Sequence, residues 1–98
     1  MKVVRLLAPA REEMRDAVGF YEHCSKGLGE DFTFCLDRAV RDIRENPNRW
    51  SVVNNSVVRR YMVRRFPFCL LYRIDTNEIV VLAVMHMCRN PEYWKNRI

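Results

Sequence analysis

Ile79-Val80-Val81-Leu82-Ala83-Val84-Met85 is the longest uninterrupted apolar run in the chain. A strand with one wet face alternates apolar and polar residues, whereas a strand apolar at every position is covered on both faces. The run is also far shorter than the roughly 18 residues a membrane span needs. It therefore predicts a central strand over Ile79–Met87. One face can take helices. The other needs a cover as well, and a partner protein is one candidate.

Working back from this strand, Asp75-Thr76-Asn77 is a turn and Phe68–Ile74 a second strand, entered through a tight corner at Phe66-Pro67. Val58–Arg65 alternates, with Tyr61 and Val63 on one side and Arg60, Met62 and Arg64 on the other. These three segments predict an antiparallel meander. Trp50–Val53 leads into it, and Asn54-Asn55-Ser56 is a turn cluster.

Upstream the period changes from two to 3.6. Phe32, Cys35, Leu36, Ala39, Val40 and Ile43 form a helical stripe, which predicts a helix from near Glu30 to about Glu45, stopped by Pro47. Its polar face offers Asp37 with Arg41 and Arg38 with Asp42, opposite charges four residues apart that suit a solvated surface. An earlier stripe of Met14, Ala17, Val18, Tyr21 and Cys24 predicts a helix from Ala10, with Glu12, Glu13 and Asp16 loading its first turns and Gly27 as its stop. Lys2–Leu7 reads as a short strand ending at Pro9, and the tail Asn90–Ile98 as a polar, aromatic-containing end with a helical turn over the sheet. The expected fold class is α+β: an N-terminal strand, an αα-hairpin and a three-stranded antiparallel meander in one sheet, with helices on one face.

At 98 residues the chain is expected to form a single domain, 1–98. Its 49% hydrophobic and 30% charged composition is that of a folded rather than a disordered chain. The net charge of +5 is unevenly placed. Residues 1–58 carry nine basic and nine acidic side chains, whereas residues 59–98 carry eight basic against three acidic. Arginine outnumbers lysine fourteen to three, which favours bidentate contacts to carboxylate or phosphate. An anionic partner is expected for the C-terminal part. Cys24, Cys35, Cys69 and Cys88 form no C-x-x-C pair, so no metal site and no cofactor is expected. Three of the four sit in apolar patterns and read as reduced core thiols, which suggests a cytoplasmic protein. The run Val3–Ala8 is short and interrupted by Arg5, so it does not read as a signal peptide, and no membrane association is expected.

The order of local strings is more specific than any one of them. They are Phe20-Tyr21-Glu22, Gly27-Leu28-Gly29-Glu30-Asp31-Phe32, Ile43-Arg44-Glu45-Asn46-Pro47 and Val58-Arg59-Arg60. They continue with Arg65-Phe66-Pro67-Phe68 followed by Tyr72-Arg73, and end with Ala83-Val84, His86, Arg89-Asn90-Pro91 and Trp94. Together, over about Lys2 to Trp94, they resemble the ParE-like branch of the RelE/ParE toxins of type II toxin–antitoxin modules. The resemblance implies a plasmid-stabilisation type of toxin that arrests growth when its cognate antitoxin is lost. It also implies a homodimer or a heterotetramer with that antitoxin as candidate assemblies. Two activities occur in the superfamily: poisoning of DNA gyrase, and metal-independent cleavage of messenger RNA on the ribosome.

RNA cleavage through the 2′-hydroxyl needs a base, an acid and cations on the phosphate. His86, Arg89 and Tyr93 are the candidates for those roles, against a plain reading of His86 as a hydrogen-bonded residue at the sheet edge. The resemblance implies an arginine just after the leading aromatic of the middle meander strand in nuclease members. Here Phe68 is followed by Cys69, and the lysines of the preceding strand are absent, with Arg60 and Arg64 as the available substitutes. The expectation is therefore a binding-type toxin aimed at gyrase rather than an enzyme, with the ribosome-dependent endoribonuclease as the alternative. Arg59, Arg60, Arg64, Arg65, Arg89 and Trp94 are the candidate residues for binding an antitoxin or target. The bland reading of the four arginines around residues 59–65 is protection of a sheet edge. For Trp94 it is packing on the sheet. Phe20 and Phe34 fall off the apolar stripes and, if exposed, mark a face for an antitoxin helix or a second copy.

Overall fold

The structure, a computed structural model, describes residues 1–89 and 92–98. Asn90 and Pro91, where the tail was expected to begin, lie outside the described residues. The elements run β1 (Val3–Leu6), α1 (Ala8–Cys24), α2 (Leu28–Glu45), β2 (Arg59–Met62), β3 (Phe68–Ile74) and β4 (Glu78–His86), followed by a 3₁₀ turn at Lys95–Arg97. The sheet order is β1-β4-β3-β2. The meander is antiparallel, and β1 lies parallel to β4. The α+β class and the central position of the apolar strand are as the sequence indicates.

Several boundaries differ, each for a local reason. The first helix starts at Ala8, so Pro9 lies inside it. Proline is tolerated there because first-turn N–H groups have no helical acceptor. The carboxylates of Glu12 and Glu13 consequently fall a turn later than expected, and none is in the first turn. Gly27 begins α2 rather than ending α1: its φ of 87° is a left-handed conformation that side chains rarely adopt. The Glu22 carboxylate accepts from the Gly27 and Gly29 amides at 3.0–3.1 Å, answering donors that α2 leaves free at its start. A Cβ on Gly29 would lie 2.7 Å from the Val18 carbonyl, so the two helices meet there by way of that glycine. Strand β2 is shorter than Val58–Arg65 because Arg65 turns the chain through φ 71°. The alternation still holds, with Tyr61 and Val63 buried and Arg60, Met62 and Arg64 exposed.

The helix hairpin lays its stripe on one sheet face. Phe32 is fully buried, and its ring lies 4.9–5.1 Å from those of Tyr21, Phe66 and Phe68. Tyr72 donates to the Pro47 carbonyl at 2.7 Å, and Tyr61 donates to the Asp42 carboxylate, so two phenols tie the end of α2 to the sheet. The opposite face, expected to need a cover, is covered by the chain itself. Val58 and Trp94 pack there on Cys69, Leu71, Val80, Leu82, Ala83 and Met85. Leu82 and Ala83 share that face because Leu71 pairs with Ala83 and Tyr72 with Val81, which leaves Leu82 as a bulged residue.

Only Cys69 is a core thiol. Cys24 and Cys88 are exposed and Cys35 half-buried, which corrects the expectation of three. Burial pushes the Cys69 thiol up to about 11 from 9.0. Between pH 9 and 11 the unfolded chain releases this proton and the folded chain keeps it. Stability is thus undiminished by this group below pH 9 and falls as pH rises through that window, by about 1.4 kcal/mol per unit at most. With a thiol reagent at pH 8, Cys24 and Cys88 should label in the native protein and Cys69 only in denaturant. Native labelling of Cys69 at the rate of Cys88 would show the tail-covered face to be open.

Candidate functional site

Three surfaces carry the chemistry. The first is the end of β4. His86 pairs with Phe68 across the strands, their rings 5.1 Å apart and edge to face. The Cys88 amide donates to His86 Nδ1 at 3.0 Å, which leaves Nε2 to carry the proton of the neutral ring. His86 and Arg89 open into a cleft of about 360 Å³ shared with Glu13, Asp16, Phe20 and Phe68. Among the described lining residues, the one guanidinium is thus set against two carboxylates.

Glu13 is the hub that sequence reading missed. It accepts from the Val84 amide at 3.1 Å and from both terminal nitrogens of Arg97 at 3.0–3.1 Å, and Arg89 lies 3.9 Å away. Arg97 also donates to the Leu82 carbonyl at 3.0 Å. β1 ends at Leu6, opposite Val81, so these side chains satisfy the β4 edge beyond it. The hydrogen bond to Glu13 holds the Arg97 proton more tightly than usual. Arg89 and Arg97 lie 4.0 and 4.8 Å over the Tyr93 ring. Burial, and then Glu13, push the Tyr93 phenol up, although its hydroxyl forms no complete hydrogen bond among the described residues. A phenol held this firmly is a poor proton donor.

The three nuclease candidates are therefore only partly brought together. His86 and Arg89 share the cleft, while Tyr93 belongs to the packing under the tail. Cys69 points to the face opposite Phe68, so β3 sends no cation toward His86. Trp94, one of the binding candidates, is 2% exposed, and its indole is core rather than surface.

The arginines near β2 also divide. Arg59 donates to the carbonyls of Asn48 and Trp50 at 3.1 and 2.6 Å and pins the loop before β2. Arg65 lies 3.6 Å from Asp31 and over the Phe66 ring. Arg60 and Arg64 line a polar hollow together with Arg38 and Arg49, the second surface. Charge on an edge strand also blunts sheet-to-sheet pairing, as the bland reading has it.

The third surface is a groove of about 450 Å³ where α1 and α2 diverge over the sheet. Met14, Leu36, Val40, Leu70, Val81 and Val84 line it, and Arg11, Arg41 and Arg44 stand around it with Asp37. Met14, Leu36 and Val40 were visible as stripe residues, yet nothing local showed that the helices part there. Phe20 and Phe34 are 64% and 71% exposed, Phe20 beside the His86 cleft.

The described residues thus form a small α+β domain, a helix hairpin on a mixed sheet, that presents a cleft, a polar hollow and an apolar groove. A sequence model described as "ParE toxin of type II toxin-antitoxin system, parDE" matches residues 4–91, and the chain belongs to that family. No curated protein matches significantly. Among solved structures, a chain of "Chromosomal ParDE TA system from P. aeruginosa" superposes with a TM-score of 0.74 over 88% of this chain and 96% of that one, at 17% identity. That likeness shows the shared fold. No helix among the described residues is long and apolar enough to cross a membrane.

Proposed function

We propose that this ParE-family toxin is a cytoplasmic, binding-type inhibitor of DNA gyrase, and that its antitoxin neutralises it by laying an acidic, amphipathic segment in the α1–α2 groove. The observation that carries the reading is the state of the His86 end. Metal-independent cleavage of RNA develops charge on a phosphorane that cations must answer. Here Arg89 leans on Glu13 and Tyr93, and Glu13 and Asp16 would repel the phosphate. The rival, a ribosome-dependent endoribonuclease, has His86 and Arg89 in one cleft in its favour.

Purified protein should inhibit gyrase supercoiling, and the His86→Ala variant should do so within about threefold, whereas loss of a general acid or base would cost a nuclease a factor of roughly 10²–10⁴. Translating ribosomes run in parallel should keep their transcripts intact. Transcript cleavage lost in His86→Ala, with supercoiling unaffected by either protein, would replace the gyrase reading with the nuclease one.

A further inference from the structure

We infer that the hollow between the end of α2 and β2 is a binding site for the phosphodiester backbone of nucleic acid. Four guanidiniums meet there from distant parts of the chain: Arg38 from α2, Arg49 from the following loop, and Arg60 and Arg64 from β2 and its exit. The space between them is about 650 Å³. Asp42 and Glu45 are the acids present, so cations are in excess by two. Asp42 is already engaged, taking the Tyr61 hydroxyl and lying 3.9 Å from Arg38. Among the described residues, the side chains of Arg60 and Arg64 have no ion pair, and both are exposed.

Repulsion among such cations disfavours folding, and a bound anion would remove it. The chemistry of the hollow selects the anion. A protein segment draws affinity from a broadly apolar floor, which the α1–α2 groove has, whereas the lining of this hollow is mostly polar, with Trp50, Tyr61 and Met62 as its less polar members. What the hollow offers instead is planar guanidinium, suited to bidentate contact with phosphate oxygens, beside an aromatic pair. The rings of Trp50 and Tyr61 lie 4.8 Å apart, and Arg49 lies 5.5 Å over Trp50. Strongly cationic, polar surfaces of this kind are typical of nucleic-acid contacts. Contacts directed at phosphates carry no base information, so binding would be independent of sequence.

The inference does not rest on the gyrase reading, and its test measures binding alone. A fluorescent 20-base-pair DNA duplex and a labelled single-stranded RNA would be titrated with the protein by anisotropy at 50–200 mM salt. For about three phosphates neutralised, the slope of log K against log salt should be near −3, or roughly a 50-fold loss across that range. The double variant Arg60→Ala/Arg64→Ala should bind at least tenfold more weakly and flatten the slope by about 2. Arg11→Ala/Arg44→Ala, which removes the same charge from the groove, should stay within threefold of the unaltered protein. Whichever probe binds more tightly identifies the natural source of the backbone. No binding at 50 mM salt would overturn the inference, as would equal weakening by the two double variants. So would an oligoglutamate peptide that depends on Arg60 and Arg64 while neither nucleic acid does. Circular dichroism of each variant ensures that a lost fold is not read as a lost site.

Discussion

Trp94→Ala is expected to destabilise the protein by about 3–5 kcal/mol, the range for removing a buried tryptophan, out of a total of roughly 5–15 kcal/mol for a domain of ordinary stability. The indole is 2% exposed and covers a sheet face made of Cys69, Leu71, Val80, Leu82, Ala83 and Met85, none of them more than 5% exposed. Without it those side chains are left with Val58, and with Leu7, Val53 and Tyr93, as a partial cover, because the helices are committed to the other face. A loss of this size should lower the melting temperature by at least about 15 °C in a chain of this length. It should also let Cys69 react with thiol reagents under native conditions. Trp94→Phe, which keeps much of the ring area, should lose about half as much. Urea denaturation measures both. A loss below 1 kcal/mol in Trp94→Ala would mean that the tail does not hold the second face, and that something outside this chain must.

The same face shows what a sequence can and cannot disclose. Both helices, the meander and the central place of β4 were legible, because each rests on periodicity within a few residues of chain. The unbroken run Ile79–Met85 announced two buried faces. It hid the bulge at Leu82, since a register shift leaves no trace where every residue is apolar. Nothing local reveals that β1 lies parallel to β4, or that Trp94 is the missing cover, because these are contacts between distant segments.

The surroundings of the candidate site residues were hidden for the same reason. Counting charge gave four arginines around β2 but could not separate Arg59, spent on two carbonyls, from Arg60 and Arg64, which join Arg38 and Arg49. Glu13 looked like a helix-dipole residue and is instead the acceptor that holds Arg97 and the β4 edge. His86 and Arg89 were singled out as candidates from their place at the strand end, and they do share one cleft. The carboxylates facing them from α1 were not, since a helix face and a strand end meet only in the fold.

Reversing charge at the rim of the groove, in Arg11→Glu/Arg44→Glu, should weaken binding of the cognate antitoxin at least 100-fold. The proposed occupant is acidic and amphipathic. Its apolar side would cover Met14 and Val40, and its carboxylates would meet Arg11, Arg41 and Arg44. Two reversed charges turn attraction into like-charge contact, which costs several kcal/mol in a docked interface. A factor of 100 corresponds to about 2.7 kcal/mol. Association should slow most at low salt, where unreversed arginines would steer the partner. Met14→Asp, which spoils the floor and leaves the rim intact, should also weaken binding, chiefly by faster dissociation. The groove shares Val84 with the His86 cleft, but Arg11, Met14 and Arg44 line neither that cleft nor the hollow at Arg60 and Arg64, so inhibition of gyrase should persist in both variants. Cells making Arg11→Glu/Arg44→Glu should then stop growing even with antitoxin present, whereas cells making the unaltered toxin with antitoxin should not. Calorimetric titration with the antitoxin gives the affinity directly. If both variants bind it as tightly as the unaltered protein does, neutralisation acts through another surface, and the exposed Phe20 and Phe34 become the first place to look.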